Sequence, residues 1–522
     1  MAEKYFNTEG LCVPSQHYMV DTSEKIDTII RDFVDRGRYF VINRARQYGK
    51  TTTLSRLDNA LRDRYYIIRT SFASYGESVF QTPSLFISTF LKKTAFTMRY
   101  AKLPDDLITA WAINNENLLL PQLEARIIQL VSQSDKPVVL MIDEVDKSTN
   151  NQLFLDFLAV LRDMYLNRNE GIAPAFHSVI LAGVTDIKNL KMKIRPEKEH
   201  KNNSPWNIAA PFDVDMSFAP DEIATMLTEY EADHNTGMDI CAVSDRLYYH
   251  TSGYPFLVSA LCKLIHEKDL GWNKNSADTA ADLLVQKTNT LFDDVIKNMQ
   301  RHESFNNMVI EILLRGEAVP YVPADPDVAL GEMYGIFRQD GRRVVISNRI
   351  FETYIYDYLI LQEKKKNQAL RSLDQSVYIN NGVLKMDIVI ERFAELMHRE
   401  YRRETGSIIE VEGRLFFLCY LRPIINGAGH YYVEVQTRNN TRMDVVVTFG
   451  KQEFIVELKV WHGEQHESNA YDQLAGYVKS QSQTKGYLIS FCDLRKQPRE
   501  GRTFTLNGIE IHETIVAYND LV

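Results

Sequence analysis

Three stretches of this 522-residue chain carry residue types and spacings that could do chemistry. The first ends in Gly49-Lys50-Thr51. Backbone N–H groups of such a loop and of a following helix can cradle phosphates, Lys50 can reach a β/γ-phosphate, and Thr51 can hold Mg²⁺. The second is Asp143-Glu144, which closes an apolar run. Asp143 there suits the shell of the same Mg²⁺, and Glu144 can polarise an attacking water. The third is Asp444 followed by Glu457-Leu458-Lys459. Asp444, Glu457 and the Leu458 carbonyl offer hard oxygens to a second Mg²⁺, and Lys459 can position a water for attack.

Each set needs elements to hold it, and the flanking sequence supplies them. A helix is expected over residues 24–36, with Asp21, Thr22 or Ser23 to cap it, and then a buried strand, Tyr39–Asn43. Residues 44–49 form the loop, and a helix follows from Lys50. The apolar run 138–142 reads as a parallel strand of Walker-B type. A third strand, Ser178–Gly183, leads to Thr185, which is either a γ-phosphate sensor or a simple strand-end hydroxyl. Three apolar strands in this order, each ending in the right chemistry, predict a P-loop nucleotide site formed by Arg46, Gln47, Tyr48, Gly49, Lys50, Thr51, Thr52, Asp143 and Thr185, with Glu144 catalytic.

Near the C-terminus, two apolar runs flank Gly450-Lys451, so a hairpin is predicted. A symmetric turn sets Asp444 opposite Glu457, and Glu457 and Lys459, two residues apart on a strand, share a face. Two charges on an otherwise apolar face are costly without a task. The spacing is the D-x(n)-E-x-K core of PD-(D/E)XK nucleases. Upstream, residues 410–421 read as a helix that could add a further acid, Glu412 or else Glu410. Downstream, the helix at 471–477 sets Gln473 and Tyr477 on one side, before a strand at 485–491.

The chain resembles the AAA-ATPase-like domain found fused to a PD-(D/E)XK nuclease domain in many bacterial proteins, a group related to archaeal-type and STAND ATPases. Arg44-Ala45-Arg46-Gln47-Tyr48-Gly49-Lys50-Thr51 is similar to the arginine-rich loop of that group, Arg-Pro-Arg-Arg-Phe-Gly-Lys-Ser, which also lacks the usual first glycine. Ser204 to Ala209, Met216-Ser217-Phe218 and Gly253-Tyr254-Pro255 match as well. The resemblance implies that Gly253-Tyr254-Pro255 lies in a helical lid near the nucleotide and that Gln473 stands beside the catalytic lysine, as in RecB-like nucleases. It names no arginine finger; Arg44, Arg46, Arg162 and Arg195 all remain open.

The expected fold class is α/β: a P-loop NTPase parallel sheet with a helical lid and winged-helix region, followed by a separate α/β restriction-endonuclease-like domain of the PD-(D/E)XK type. Expected boundaries are 1–220 for the ATPase core, 221–300 for the lid, 301–365 for the winged helix and 375–522 for the nuclease-like domain. The winged helix rests on helices at 305–315 and 327–334 and an Asp340-Gly341 hairpin. Its second helix carries few basic residues, which favours a structural or protein-contact role.

Composition narrows the partners. The chain is 45% hydrophobic and 25% charged, and its net charge of −9 argues against coating nucleic acid non-specifically. No signal peptide or membrane span is legible, and Cys12, Cys241, Cys262, Cys419 and Cys492 form no C-x-x-C pair, so a cytoplasmic protein with reduced thiols is expected. The leading expectation is an ATP-binding and ATP-hydrolysing protein whose nucleotide state controls Mg²⁺-dependent cleavage of nucleic acid, DNA rather than RNA; the family resemblance implies a role in defence or mobile-element biology. No membrane partner is expected, and a homo-oligomer is compatible. The alternative is an ATP-dependent signalling or scaffold switch whose nuclease fold only binds a partner.

Overall fold

A computed structural model describes residues 3–112, 118–148, 151–184, 206–315, 319–366, 375–400, 410–425, 429–436, 442–460, 464–493 and 500–519. The chain forms two compact units, Met1–Arg301 with Pro320–Glu352, and His302–Val319 with Thr353–Val522.

In the first unit, α1 (Ser23–Ile29) continues through a π turn to Val34. There follow β1 (Tyr39–Asn43), α2 (Lys50–Leu61), β2 (Tyr66–Ser71), α3 (Pro83–Tyr100), α4 (Asp105–Ala112), α5 (Leu120–Gln133), β3 (Val138–Asp143), α6 (Gln152–Asn169) and β4 (Ser178–Gly183). The strands pair in parallel in the order β1-β4-β3-β2. Such a sheet is covered on both faces, which is why β3 and β4 are buried throughout and read as unbroken apolar runs. Alternate residues divide between two cores. Tyr39, Val41, Leu140, Ile142 and Leu181 join Phe86, Phe90, Leu123 and Phe157 of the α3–α6 side. Phe40, Ile42, Met141 and Ile180 join Ile29 of α1 and Leu54, Leu57 and Leu61 of α2. Those three leucines are fully buried at helical spacing, each stabilising by about 1.5–3 kcal/mol, and they fix the helix that begins at Lys50.

The expected lid is five helices: α7 (Pro220–His234), α8 (Ile240–Thr251), α9 (Pro255–Glu267), α10 (Lys274–Val285) and α11 (Thr290–Arg301). Their starts are chemically marked. Proline opens α7 and α9, while the side chains of Asp239 and Asn273 accept from Ala242 N and Ser276 N. Next, α12 (Glu303–Ile310) falls in the second unit, whereas α13 (Pro326–Met333) and the hairpin of β5 (Phe337–Asp340) and β6 (Arg343–Ile346) fall in the first; α14 (Arg349–Lys366) begins at the division between them. The residues read together as a winged helix are therefore shared between the two units.

The second unit continues with the short pair β7 (Ile379–Asn380) and β8 (Val383–Leu384), then α15 (Met386–Glu400), α16 (Glu410–Ile425), β9 (Gly429–Gln436), β10 (Arg442–Phe449), β11 (Gln452–Val460), α17 (Glu464–Ser480), β12 (Lys485–Asp493), β13 (Arg502–Leu506) and β14 (Ile509–Asn519). Six strands form one mixed sheet in the order β13-β14-β12-β11-β10-β9. On one face Val446, Ile455, Leu488 and Ile511 pack with Leu474, Ala475 and Val478 of α17. On the other, Phe393 of α15 meets Phe417 of α16 and Phe491 of β12.

Candidate functional site

The loop expected to cradle phosphate spans residues 44–49, between the last residue of β1 and the first of α2. Gln47 and Gly49 take left-handed backbone, with φ of +58° and +73°. A Cβ at Gly49 would meet nothing within 4 Å, so glycine serves the backbone conformation there rather than close packing. Lys50 Nζ donates to Arg44 O and Ala45 O, both at 2.8 Å. Burial draws the Lys50 amine below its ordinary pKa, against the pull of Asp146, Glu144 and Asp143.

Thr51 Oγ1 donates to Asp143 Oδ2 at 2.8 Å, and Glu144 N donates to Asp143 Oδ1 at 2.9 Å. Asp143 is 4% exposed, so both its oxygens are held at the C-terminal end of β3 with the loop hydroxyl beside them. Oxygen donors paired in this way fit Mg²⁺. Glu144 is exposed and left-handed, with φ of +55°. Left-handed backbone is uncommon in a non-glycine residue, and such residues cluster at functional sites.

A cavity of about 390 Å³ opens beside the loop. Gln47, Tyr48, Gly49 and Thr52 line it from the loop and α2, Tyr18 and Cys12 from the N-terminal segment, and Phe218 and Pro255 from the lid side. Its size and largely apolar wall suit a nucleoside next to a phosphate site.

Two arginines of the loop have defined partners. Arg44, at the usual first-glycine position, donates to Asn43 O at 3.0 Å and Val214 O at 2.7 Å, and its guanidinium lies 5.1 Å from the Phe212 ring centre. It ties the loop to residues 212–214. Arg46 is exposed and pairs with Asp294 of α11 at 2.8 Å. Of the other arginine-finger candidates, Arg162 is half-buried on α6. Gly253, φ +73°, exchanges a backbone hydrogen bond with Phe218 and sets Tyr254 Oη 2.5 Å from Arg46 O, so the Gly253-Tyr254-Pro255 turn joins lid to loop. Thr185 and Arg195 lie outside the described residues.

In the second unit, β10 and β11 pair from Phe449↔Gln452 to Val445↔Val456 around a two-residue turn in which Gly450 has φ +59°. Carried one residue further, this register sets position 444 opposite Glu457. Glu457 is fully buried, and Lys459 Nζ lies 3.2 Å from its Oε1. Leu458 is buried too, on the alternate face, which leaves its carbonyl as the group it could offer. Gln473, exposed on α17, donates to the Tyr477 hydroxyl. The side chains of Asp444, Glu412 and Glu410 lie outside the described residues. Among the described residues, no three His, Cys, Asp or Glu side chains converge on one point.

Asp146, Asp294 and the N-terminal wall of the cavity are not among the site residues that the sequence singles out. Asp146 is nonetheless visible as the third acid of Asp143-Glu144-Val145-Asp146. The others carry no local signal, because packing alone brings them to the loop. No helix among the described residues is long and apolar enough to cross a membrane.

The profile of the AAA-like domain family matches residues 9–357. No curated protein matches the sequence. Among solved structures, the chain is similar to a Walker-type ATPase of Pyrococcus abyssi, with 12% identity over 67% of this chain and 99% of that one and a TM-score of 0.48. It is also similar to the Aeropyrum pernix ORC1 protein in complex with DNA, with 12% identity over 66% and 94% of the two chains and a TM-score of 0.30. The family profile covers the parallel sheet, the phosphate loop, the Asp143 strand and the lid, and on that ground the chain belongs to the AAA-like domain family.

Proposed function

We propose that the chain binds ATP with Mg²⁺ at Lys50, Thr51 and Asp143, hydrolyses it, and uses the nucleotide state to control cleavage of nucleic acid, DNA rather than RNA, by its C-terminal unit. The observation that carries the ATP reading is the Thr51–Asp143 hydrogen bond of 2.8 Å beside Lys50 and the nucleoside-sized cavity. On binding, Lys50 exchanges the carbonyls of Arg44 and Ala45 for phosphate oxygens, with Arg46, Gln47, Tyr48, Gly49 and Thr52 around it. Glu144 polarises a water, whose oxygen bonds to the γ-phosphorus as the bond to ADP breaks, and Thr185 is the candidate γ-phosphate sensor.

For the second activity, support comes from the β10–β11 register together with buried Glu457 beside Lys459. Asp444, Glu457 and the Leu458 carbonyl are the Mg²⁺ ligands of this reading, and the metal would stabilise charge on the phosphodiester. Lys459 orients the attacking water, while Gln473 and Glu412 border the site. The test is a cleavage assay on single- and double-stranded DNA and RNA, with and without ATP, for wild type, Lys50→Ala and Lys459→Ala. Cleavage lost in Lys459→Ala and no longer ATP-dependent in Lys50→Ala is expected; no cleavage of any substrate by wild type would sink the nuclease half. The Lys459–Glu457 ion pair also suits a switch that only binds a partner. Mn²⁺ bound by wild type and lost in Asp444→Ala speaks for the nuclease.

A further inference from the structure

Asp146 is the acid of the Walker-B run that the nucleotide chemistry above leaves without a task. It is half-buried, three residues past Asp143. Its Oδ2 accepts from Val184 N at 2.6 Å, at the residue that follows β4. Both of its oxygens lie over Gly183: a Cβ there would stand 2.9 and 3.0 Å from them and 2.8 Å from Val145 Cγ2. Gly183 is thus the residue that lets the carboxylate approach the strand end. Gly183 O, in turn, accepts from Arg44 N at 3.2 Å, at the first residue of the phosphate loop. The same Arg44 offers the carbonyl that holds Lys50. A continuous line of contacts therefore runs from Asp146 through the end of β4 to the loop and its lysine.

We propose that Asp146 is a positioning residue for ATP hydrolysis, which locks the Walker-B turn to the end of β4 and through the Gly183–Arg44 hydrogen bond sets the phosphate loop for reaction. This rests on the ATPase reading given above. Asp146 fixes the end of β4 and the start of the loop rather than touching nucleotide, and that geometry must be exact when the γ-phosphate reacts, so its loss lowers turnover more than affinity. Misplacement of the reacting geometry costs rate steeply.

The test measures ATP turnover, the ADP dissociation constant and Tm for the full chain as wild type, Asp146→Ala and Asp146→Asn. Asp146→Ala lowers kcat by about tenfold or more, with the ADP dissociation constant held within about threefold. Asp146→Asn keeps an oxygen for the Val184 N–H and recovers most of the rate. Gly183→Ala, which forces the carboxylate off the strand end, reproduces the loss of turnover. Asp146→Ala turning over like wild type overturns the inference alone, as does a fall in affinity and Tm that matches the fall in rate. Absence of hydrolysis by wild type overturns the ATPase reading and the inference with it.

Discussion

Gly253→Ala probes the joint between lid and loop. Gly253 has φ +73°, and a Cβ at that position would stand 2.0 Å from Phe218 O and 2.8 Å from Phe218 N. Those are backbone atoms, which cannot swing aside as a side chain can. Left-handed backbone costs an alanine about 1–2 kcal/mol. Displacing Phe218 also strains or breaks its hydrogen bond to Gly253 O, worth about 0.5–1.5 kcal/mol. The sum is about 1.5–3.5 kcal/mol, equivalent to a fall in Tm of about 2–5 °C for a unit of about 330 residues. Because Tyr254 and Pro255 follow directly, the shift also pulls Tyr254 Oη from Arg46 O and alters the cavity wall, so ADP affinity falls with stability. Gly237→Ala is the control: its φ is also +73°, but nothing lies within 4 Å of the added Cβ, so it carries the backbone strain without the collision. Thermal unfolding and ADP titration of both variants decide the matter. If the two variants lose equal stability, or Gly253→Ala binds ADP as wild type does, the turn is not the joint described.

Cys12 reports on the cavity: with ADP at about ten times its dissociation constant, alkylation of Cys12 slows about tenfold, while exposed Cys241 reacts unchanged, as read by mass spectrometry. Burial raises the Cys12 thiol pKa, so labelling is run at alkaline pH; equal rates with and without ADP would place the nucleoside elsewhere. Lys459→Met removes a cation beside fully buried Glu457 and costs about 1–3 kcal/mol, discounted for the partial exposure of Lys459. Mn²⁺ restores more Tm to this variant than to wild type if Glu457 ligates metal, and an equal response counts against the metal site. Stability also falls on the acid side of neutrality. Burial lowers the His250 pKa below its ordinary 6.5. Its contribution is therefore complete above that value and is lost as pH drops through it toward the lowered folded value. His250→Gln flattens the decline in Tm between pH 7 and 5, and an unchanged slope refutes this assignment.

Local chemistry made much of the site legible. Gly450 could be read as a turn because a two-residue hairpin needs a positive φ at its first central position, and the register of Asp444's strand against Glu457's follows from that turn. Likewise Tyr39–Asn43, Val138–Asp143 and Ser178–Gly183 stood out because strands buried on both faces have no polar alternation to blur them. Residues 301–365 were legible as helices and a hairpin, yet not in their allegiance. Glu303–Ile310 and Pro326–Met333 carry similar local patterns, and only long-range packing assigns one to each unit.

The loop illustrates the limit most sharply. Its sequence has Arg44 where the usual first glycine would stand, as does the arginine-rich loop it resembles. Packing shows where that side chain goes. The Arg44 side chain leaves the loop altogether, caps the carbonyls of Asn43 and Val214 and stacks on Phe212, while its backbone bonds to Gly183 and accepts from Lys50. The anchor lies some 170 residues away in sequence, as the separation of Arg44 from Val214 records. A residue can therefore join a loop through its backbone while its side chain serves a distant segment, and a pattern of residue types does not show which segment that is.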